Sequence, residues 1–326
     1  MFQFSYKYND HVVYLQNLAD ALGVPVINNT IWLPPPIGSG YIKVVVMANG
    51  LQVLINECTL NTDICFSREE TTIAAYTIRF DQVRNMKKLT LEIGEDSLEE
   101  KNEFYSGAFL TNSLATLKYT TNAGLEDRCI NIYFTEEWFN QFSGVKTNDY
   151  FFTQYLSLKT AAYTFEVLNI EYRELMEEIF FLQEDHPMYK TVLQNRVMLL
   201  LEKFLRSLYV KMTPSNSEKA IEEADIKKLM LAEAVLVNDL STPPPSISDL
   251  AKIALMSETK LKASFKKLYG LNPYAYYQKT RMFKARLLIT KRRFSVKETG
   301  RQLGFQNLSN FTIAYKKEFN TLPGKE

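Results

Sequence analysis

Histidine is almost missing from this 326-residue chain: there are two, His11 and His186. That scarcity removes most metal-dependent and histidine-dependent catalysis. The three cysteines, Cys58, Cys65 and Cys129, show no CxxC spacing, so neither a disulfide framework nor a zinc site is expected, and the thiols read as reduced and inert. No apolar run approaches the roughly 20 residues of a membrane span. The first residues (MFQFSYKYNDH) lack the basic flank and apolar segment of a signal peptide. A cytoplasmic protein is the expectation. A nucleophile elbow, a phosphate loop and a Cys/His pair are equally absent from the sequence, so an enzyme is not expected, nor a metal or other cofactor. What is present, 46% hydrophobic and 23% charged residues, describes a globular chain too long for one core.

The net charge of +1 conceals a division. Residues 246–326 hold 17 Lys+Arg against 5 Asp+Glu, a net of +12, which leaves 21 basic and 32 acidic residues, a net of −11, in residues 1–245. A basic segment is the footprint of a surface that meets phosphates, whereas the acidic remainder is repelled by them.

Up to about residue 140 the pattern favours strands: Tyr41–Met47 and Leu51–Glu57 around an Asn49-Gly50 hairpin signal, then Thr72–Phe80, Ala108–Tyr119 and Cys129–Phe134. Several short strands predict a β-barrel or sandwich, and Trp32, Trp138 and other aromatics read as its core rather than as pocket walls. Glu136-Glu137 reads as the start of a helix. From about residue 150 the period becomes helical. Val197, Leu200, Leu201, Phe204, Leu205 and Leu208 form one stripe, expected to pack on the strand region in preference to forming a dimer seam. A second helical stretch, 217–238, is stopped by Ser241–Pro245 (STPPP). The expected organisation is a β-rich regulatory domain in 1–150, a helical connection and possible dimerisation region in 151–240, and an all-α domain in 241–326. Together these make an α+β multidomain chain.

Within the basic segment the sequence nearly repeats after about 50 residues. Ser246–Asp249 and Ser295–Glu298 are capping boxes, each opening a short helix. Leu261, Phe265 and Lys266-Lys267 are matched by Phe311, Tyr315 and Lys316-Lys317, and Tyr269, Gly270 and Pro273 by Phe319, Asn320 and Pro323. The offset is 49 in the first helix and 50 in the second, with turns near Leu255-Met256 and Gly304-Phe305. Each copy reads as a helix-turn-helix, whose second helix can lie in a DNA major groove, the alternative being an ordinary helical domain, which leaves the exposed Lys-Lys pairs and the basic charge unexplained. The helix opened by Pro273, with Ala275, Met282, Ala285 and Ile289 on one face, gives a spacer of roughly 28 Å, near the ~34 Å of one DNA turn.

These landmarks carry a family likeness. Leu250-Ala251, Met256-Ser257, Leu261, Phe265-Lys266, Gly270, Pro273, Arg281, Ala285, Leu288, Val296, Glu298, Gly304-Phe305, Ser309, Phe311, Lys316-Lys317 and Pro323 make Ser246–Glu326 resemble the DNA-binding domain of the AraC/XylS family of bacterial transcription regulators. The resemblance implies a double helix-turn-helix. It also implies base-facing positions at Ser257, Glu258, Lys260, Ala263 and Ser264 in the first reading helix and Asn307, Asn310 and Ile313 in the second; Lys266, Lys267, Lys316 and Lys317, expected on the exposed side of the same helices, are further DNA-binding candidates. Positions 263 and 313 commonly hold arginine in this family. Their replacement removes the usual guanine contact and points to a site richer in A·T, or to shape readout. Thr299-Gly300 replaces an apolar-Ala pair, and a mid-helix glycine costs about 1 kcal/mol relative to alanine, which predicts a weaker second head. For the N-terminal part the resemblance reaches architecture alone, a cupin-like sensor.

The expected function is sequence-specific regulation of transcription, with the N-terminal domain controlling promoter binding through a small-molecule effector or dimerisation. Promoter DNA is the expected partner, with RNA polymerase, an effector and a second copy of the chain beside it. A non-specific architectural DNA binder is the alternative, and a small-molecule enzyme fused to a DNA-binding domain is less favoured.

Overall fold

The computed structural model describes residues 1–7, 10–72, 75–93, 96–100, 104–114, 116–142, 166–212, 221–290 and 294–325. The chain forms two compact units, each assembled from separate stretches: Met1–Leu168 with Pro187–Asn216, and Asn169–His186 with Ser217–Glu326. No described helix is long and apolar enough to cross a membrane.

The first unit is built on two sheets. Strands β1 (Phe2–Lys7), β5 (Ile64–Glu69), β10 (Leu117–Thr121), β7 (Leu89–Ile93) and β8 (Asp96–Glu100) form the smaller, in the order β1-β5-β10-β7-β8, with β1 parallel to β5. The larger sheet runs β12-β9-β6-β11-β4-β3-β2, from Glu166–Val167 through Phe104–Asn112, Ala75–Arg84, Glu126–Thr135, Gln52–Leu60 and Gly38–Val46 to Thr30–Trp32. The sheets are separate, so the architecture is a sandwich rather than a closed barrel. The Asn-Gly hairpin forms as expected, joining β3 to β4, and Trp138 Nε1 donates to the Asn49 carbonyl at 2.7 Å. The single strand expected over Ala108–Tyr119 is instead two, β9 and β10, in different sheets. The chain leaves β9 at Asn112, whose side chain accepts from the Leu114 N–H in a local turn, so the run cannot continue in one ladder. Trp138 is core, whereas Trp32, also expected there, is 62% exposed.

The larger sheet buries two unlike faces. Ile78, Phe80, Leu110, Ile130, Ile132 and Phe134 form an apolar face with no more than 1% exposure, and Phe80 meets Phe204 edge-on at 6.1 Å. Phe204 lies on α4 (Tyr189–Met212), whose stripe Val197, Leu200, Leu201, Phe204 and Leu208 is buried, so the helix packs into the unit as its period predicts. Helix α2 (Glu136–Phe142), with Glu136 and Glu137 in its first turn, adds Trp138 and Phe139 against Phe134. On the opposite face the alternating residues are polar: Asn56 of β4, Thr77, Arg79 and Asp81 of β6, Thr111 of β9, and Asp127 and Asn131 of β11. With Tyr6, Phe66, Arg68 and Tyr119 of the smaller sheet and His11 and Tyr14 of α1 (His11–Leu22), most of these line a cavity of about 100 Å³. Apolar clusters flank it, with Leu15, Leu18, Ile42, Val44 and Leu54 in one and Leu60, Ile64, Val83, Leu89 and Leu125 in the other.

Arg79 donates to Asp81 at 3.3 Å and stacks its guanidinium over the Tyr119 ring, bridging the sheets. Arg68 donates to Thr111 Oγ1 and to the Asn112 carbonyl, and Asn56 donates to Asp127 Oδ2 at 2.6 Å. His11 Nε2, Arg79 Nε, Asp127 Oδ1 and Asn131 Oδ1 have no hydrogen-bond partner among the described residues. A buried polar group left without any partner costs roughly 1–3 kcal/mol, so water or a guest molecule must meet this group of four.

Burial pushes the Asp127 carboxyl from 3.8 up to about 7, with nearby Asp81 adding to the rise, and lowers His11 from 6.5 to about 4. Between about pH 4 and 7 the folded chain therefore keeps a proton on Asp127 that the unfolded chain has released, and stability falls as pH rises. His11 acts in the opposite sense, because below pH 6.5 the unfolded chain takes up a proton that the folded imidazole refuses. The two slopes, each at most about 1.4 kcal/mol per pH unit, offset one another. Asp127→Asn removes the first, and the variant's stability is expected to rise with pH between about 4 and 6.5 more steeply than that of the parent, as read by urea unfolding.

Candidate nucleic-acid interface

In the second unit the helices α3 (Ile170–Phe180) and α5 (Glu223–Asn238) support two helix pairs around a central helix, α8 (Pro273–Thr290). The expected helix over 217–238 is described from Glu223 onwards, residues 217–220 lying outside the described residues. The first pair is α6 (Ile247–Ile253) and α7 (Glu258–Tyr269), and the second is α9 (Val296–Gln302) and α10 (Leu308–Phe319).

The local chemistry repeats with the sequence. Ser246 caps α6 by accepting from the Asp249 N–H, and its hydroxyl donates to the Asp249 carboxylate at 2.6 Å. Ser295 caps α9 in a complete box, with Glu298 accepting from both the Ser295 N–H and its hydroxyl. Each turn places one residue in the left-handed region, Leu255 at φ 50° and Gly304 at φ 70°. The reading helices end alike, at Gly270 (φ 78°) and Asn320 (φ 56°). Leu261, Phe265 and Tyr269 bury one face of α7, and Phe311 and Tyr315 the same face of α10.

Both pairs rest on α8, which is buried on several sides rather than one. Tyr276 meets Phe265 and Tyr269 of the first pair, whereas Met282, Ala285 and Leu288 cluster with Leu303, Phe311 and Tyr315 of the second. Arg281 donates to the Leu303 carbonyl through two nitrogens and lies 3.8 Å from the centre of the Phe305 ring, fixing the second turn to the spacer. The first half of α8 is tied down by charge: Glu233 of α5, 2% exposed, accepts from Arg173 of α3 and from the Tyr276 hydroxyl, both at 2.9 Å. The Tyr277 hydroxyl donates to the Thr242 carbonyl at 2.5 Å, so the Ser241–Pro245 segment runs along this unit. The 18 residues of α8 give a spacer of about 27 Å.

Of the residues singled out from the sequence, Glu258, Lys260, Ala263, Lys266 and Lys267 are exposed on α7, and Asn310, Ile313, Lys316 and Lys317 on α10. Ser264 is half-buried. Ser257 and Asn307 are N-caps whose side-chain oxygens accept from the N–H groups of Lys260 and Ser309, so their first role is structural. Lys260 Nζ lies 2.6 Å from Asp225 of α5, a contact that raises the lysine's pKa and lowers the aspartate's. Thr259 and Lys262 escaped the sequence reading. Thr259, Ala263 and Lys266 follow the i, i+4, i+7 spacing of one exposed stripe, repeated fifty residues on by Ser309, Ile313 and Lys316. Position i−4 from Ala263 was the signal that would have found Thr259.

Gly300 is buried, and a Cβ there would lie 2.8 Å from Leu308 and 3.4 Å from Phe311. The departure from alanine thus accommodates the bulk of α10 as well as lowering helix propensity.

In the first unit, Asp81, Asp127 and Cys129 offer ligand atoms within 4.8 Å of one another, but Arg79 at 3.3 Å from Asp81 already supplies a cation there.

Residues 250–325 match the family described as Helix-turn-helix domain. Over 80 residues the chain is 34% identical to the HTH-type transcriptional regulator MtrA of Neisseria gonorrhoeae, covering 24% of this chain and 27% of the relative. Over 78 residues it is 26% identical to the probable transcriptional regulator LumQ of Photobacterium leiognathi, covering 24% and 32%. The chain thus spans about a third or less of the curated relatives it matches. An AraC-type DNA-binding domain-containing regulator from Chromobacterium violaceum, of known structure, shares 27% identity over 31% of this chain and 90% of that one, with a TM-score of 0.28. The C-terminal segment is an AraC/XylS-like double helix-turn-helix, similar in sequence to transcription regulators.

The two turns answer opposite substitutions. Leu255 is 79% exposed and pays for a left-handed backbone, so Leu255→Gly is expected to stabilise the unit by roughly 0.5–1 kcal/mol. A Cβ on Gly304 would overlap the Ser241 carbonyl oxygen, so Gly304→Ala is expected to destabilise by about 2 kcal/mol or more. Thermal unfolding of the two variants reads the difference in sign.

Proposed function

We propose that this protein is a sequence-specific, DNA-binding regulator of transcription. The observation that carries the reading is the twofold repeat: two capped helix pairs with left-handed turns, each presenting an exposed reading stripe, within a segment of net charge +12. Thr259, Ala263 and Lys260 in the first head and Ser309, Asn310 and Ile313 in the second face base edges, while Lys266, Lys267, Lys316 and Lys317 meet phosphate. With Ala263 and Ile313 in place of arginine, thymine methyl groups and the Asn310 amide carry the direct readout, favouring A·T-rich half-sites about one turn apart. The sandwich unit modulates binding by holding a small effector or by pairing two copies, and the protein acts in the cytoplasm beside RNA polymerase without catalysing a reaction.

Selection of genomic fragments by the full-length protein at physiological salt, with excess competitor DNA, tests this. A few fragments sharing paired half-sites support it; recovery without sequence preference supports the architectural reading instead.

At a selected site, Lys317→Ala is expected to weaken all sequences alike and lower the salt slope by about 1, whereas Lys260→Ala costs on the order of 1 kcal/mol and relaxes preference at one base pair. Because Lys260 is held by Asp225, Asp225→Asn is expected to tighten binding a few-fold at low salt, an effect that vanishes when Lys260 is alanine. Titrations by fluorescence anisotropy distinguish these outcomes.

A further inference from the structure

Among the base-facing candidates, Lys260 is held by a side chain from outside its own helix pair. Its Nζ lies 2.6 Å from Oδ2 of Asp225, in the first turn of α5. That helix packs against α6, α7 and α8, and it precedes the segment matched by the helix-turn-helix family. The Asp225 side chain is 8% exposed and that of Lys260 51%, so a carboxylate fixed inside the unit grips an ammonium that stands half in solvent. Lys228, one turn on in α5, lies 3.8 Å from the other carboxylate oxygen and helps to keep it ionised. The matching residue of the second head is Asn310, uncharged, so the constraint is confined to the first.

The pairing changes what a lysine does at a base edge. A lysine is a point charge on a flexible stem with three donors, and unheld it settles on any phosphate in reach. With one N–H given to Asp225, the stem has a set course before DNA arrives, and two donors remain with a fixed bearing. The ion pair is also close to neutral at a distance, so Lys260 adds little to the attraction that every sequence exerts alike. Both effects subtract what is independent of sequence and leave what depends on the base edge.

We propose that Asp225 is a positioning residue for base recognition: by holding the Lys260 ammonium it sets the specificity of the first reading head without itself touching DNA. The proposal rests on the sequence-specific reading of the proposed function, and adds to it a determinant that lies in α5, outside both helix pairs.

The test is binding of the full-length protein, at physiological salt, to a duplex library randomised over paired half-sites, with sequencing of the bound fraction. The parent is compared with Asp225→Asn, Asp225→Glu, Lys260→Ala and the double variant of Asp225→Asn with Lys260→Ala. Asp225→Asn is expected to flatten the preference at one base pair of the first half-site by about fivefold or more, leaving the preferences in the second half-site as in the parent. Lys260→Ala flattens the same base pair, and the double variant does so no further. On a duplex of scrambled sequence, Asp225→Asn is expected to bind a few-fold more tightly, with a salt slope steeper by about 1, and neither change appears when Lys260 is alanine. Asp225→Glu keeps the charge on a longer arm and restores part of the discrimination. Should Asp225→Asn fail to fold, Asp225→Ser, which also removes the charge, stands in for it. The proposal is overturned if the folded, uncharged variant keeps the parent's preference at that base pair. It is equally overturned if that variant loses the preferences of both half-sites alike, as it would were the ion pair merely structural. A parent that enriches no sequence overturns the regulator reading itself, and this inference with it.

Discussion

The larger sheet has to bury two faces of opposite character, and the organisation of the first unit follows from that requirement. Strands reading Ile-Arg-Phe-Asp or Cys-Ile-Asn-Ile put aliphatic and aromatic side chains on one side and ions, amides and a thiol on the other. A sheet of this kind ordinarily turns its polar side to water. Here the apolar side takes the Tyr189–Met212 helix, and the polar side takes a second sheet. Charges placed between two sheets must be matched side chain by side chain, as they are by Arg79 with Asp81 and Asn56 with Asp127. Shape and chemistry are therefore coupled: the residues that allow the sheets to close over one another are the residues left facing the enclosed space.

In the second unit α8 plays the corresponding part. It is the floor of both helix pairs, and its contacts differ in kind along its length, with tyrosines and a buried carboxylate beneath the first and aliphatic packing plus an arginine beneath the second. Arg281 converts the carbonyl at the end of α9 into an anchor, so the orientation of the second reading helix depends on a residue in the spacer. The absence of arginine at positions 263 and 313 leaves the outward stripe short and lightly charged. In the proposed function, affinity from phosphate and discrimination from base edges fall to different turns of the same helices.

Much of the C-terminal architecture was legible in the sequence because its signals are local. A serine three residues before an acid, a left-handed residue between two helices, and apolar residues four apart each act within one or two turns of chain, and each appears where it was expected. The sandwich was less legible. Alternation announced β6 and β11 but not which face meets water, since burial of the polar face depends on a sheet whose strands lie elsewhere in the sequence. Strand β1 and helix α1 were not anticipated, although Asp10 caps α1 and Gly23 ends it at φ 67°, and Ala108–Tyr119 looked continuous because a change of sheet leaves no mark on β propensity. At the candidate interface, Lys260 was recognisable as an exposed lysine, but its partner Asp225 lies 35 residues away and only the fold brings them together.

The two units interleave along the chain, with Ile170–Phe180 belonging to the helix-turn-helix unit and Tyr189–Met212 to the sandwich. A module that spreads by gene fusion is most easily inherited when its boundaries are clean, and the segment matched by the helix-turn-helix family begins at residue 250. A recombination point at the proline run would carry Tyr276 into the new protein without the carboxylate of Glu233 that it donates to, and without Arg173 behind that carboxylate. The buried core of the second unit thus reaches upstream of the proline run, and an exchange made at that run would leave the Tyr276 hydroxyl without its acceptor.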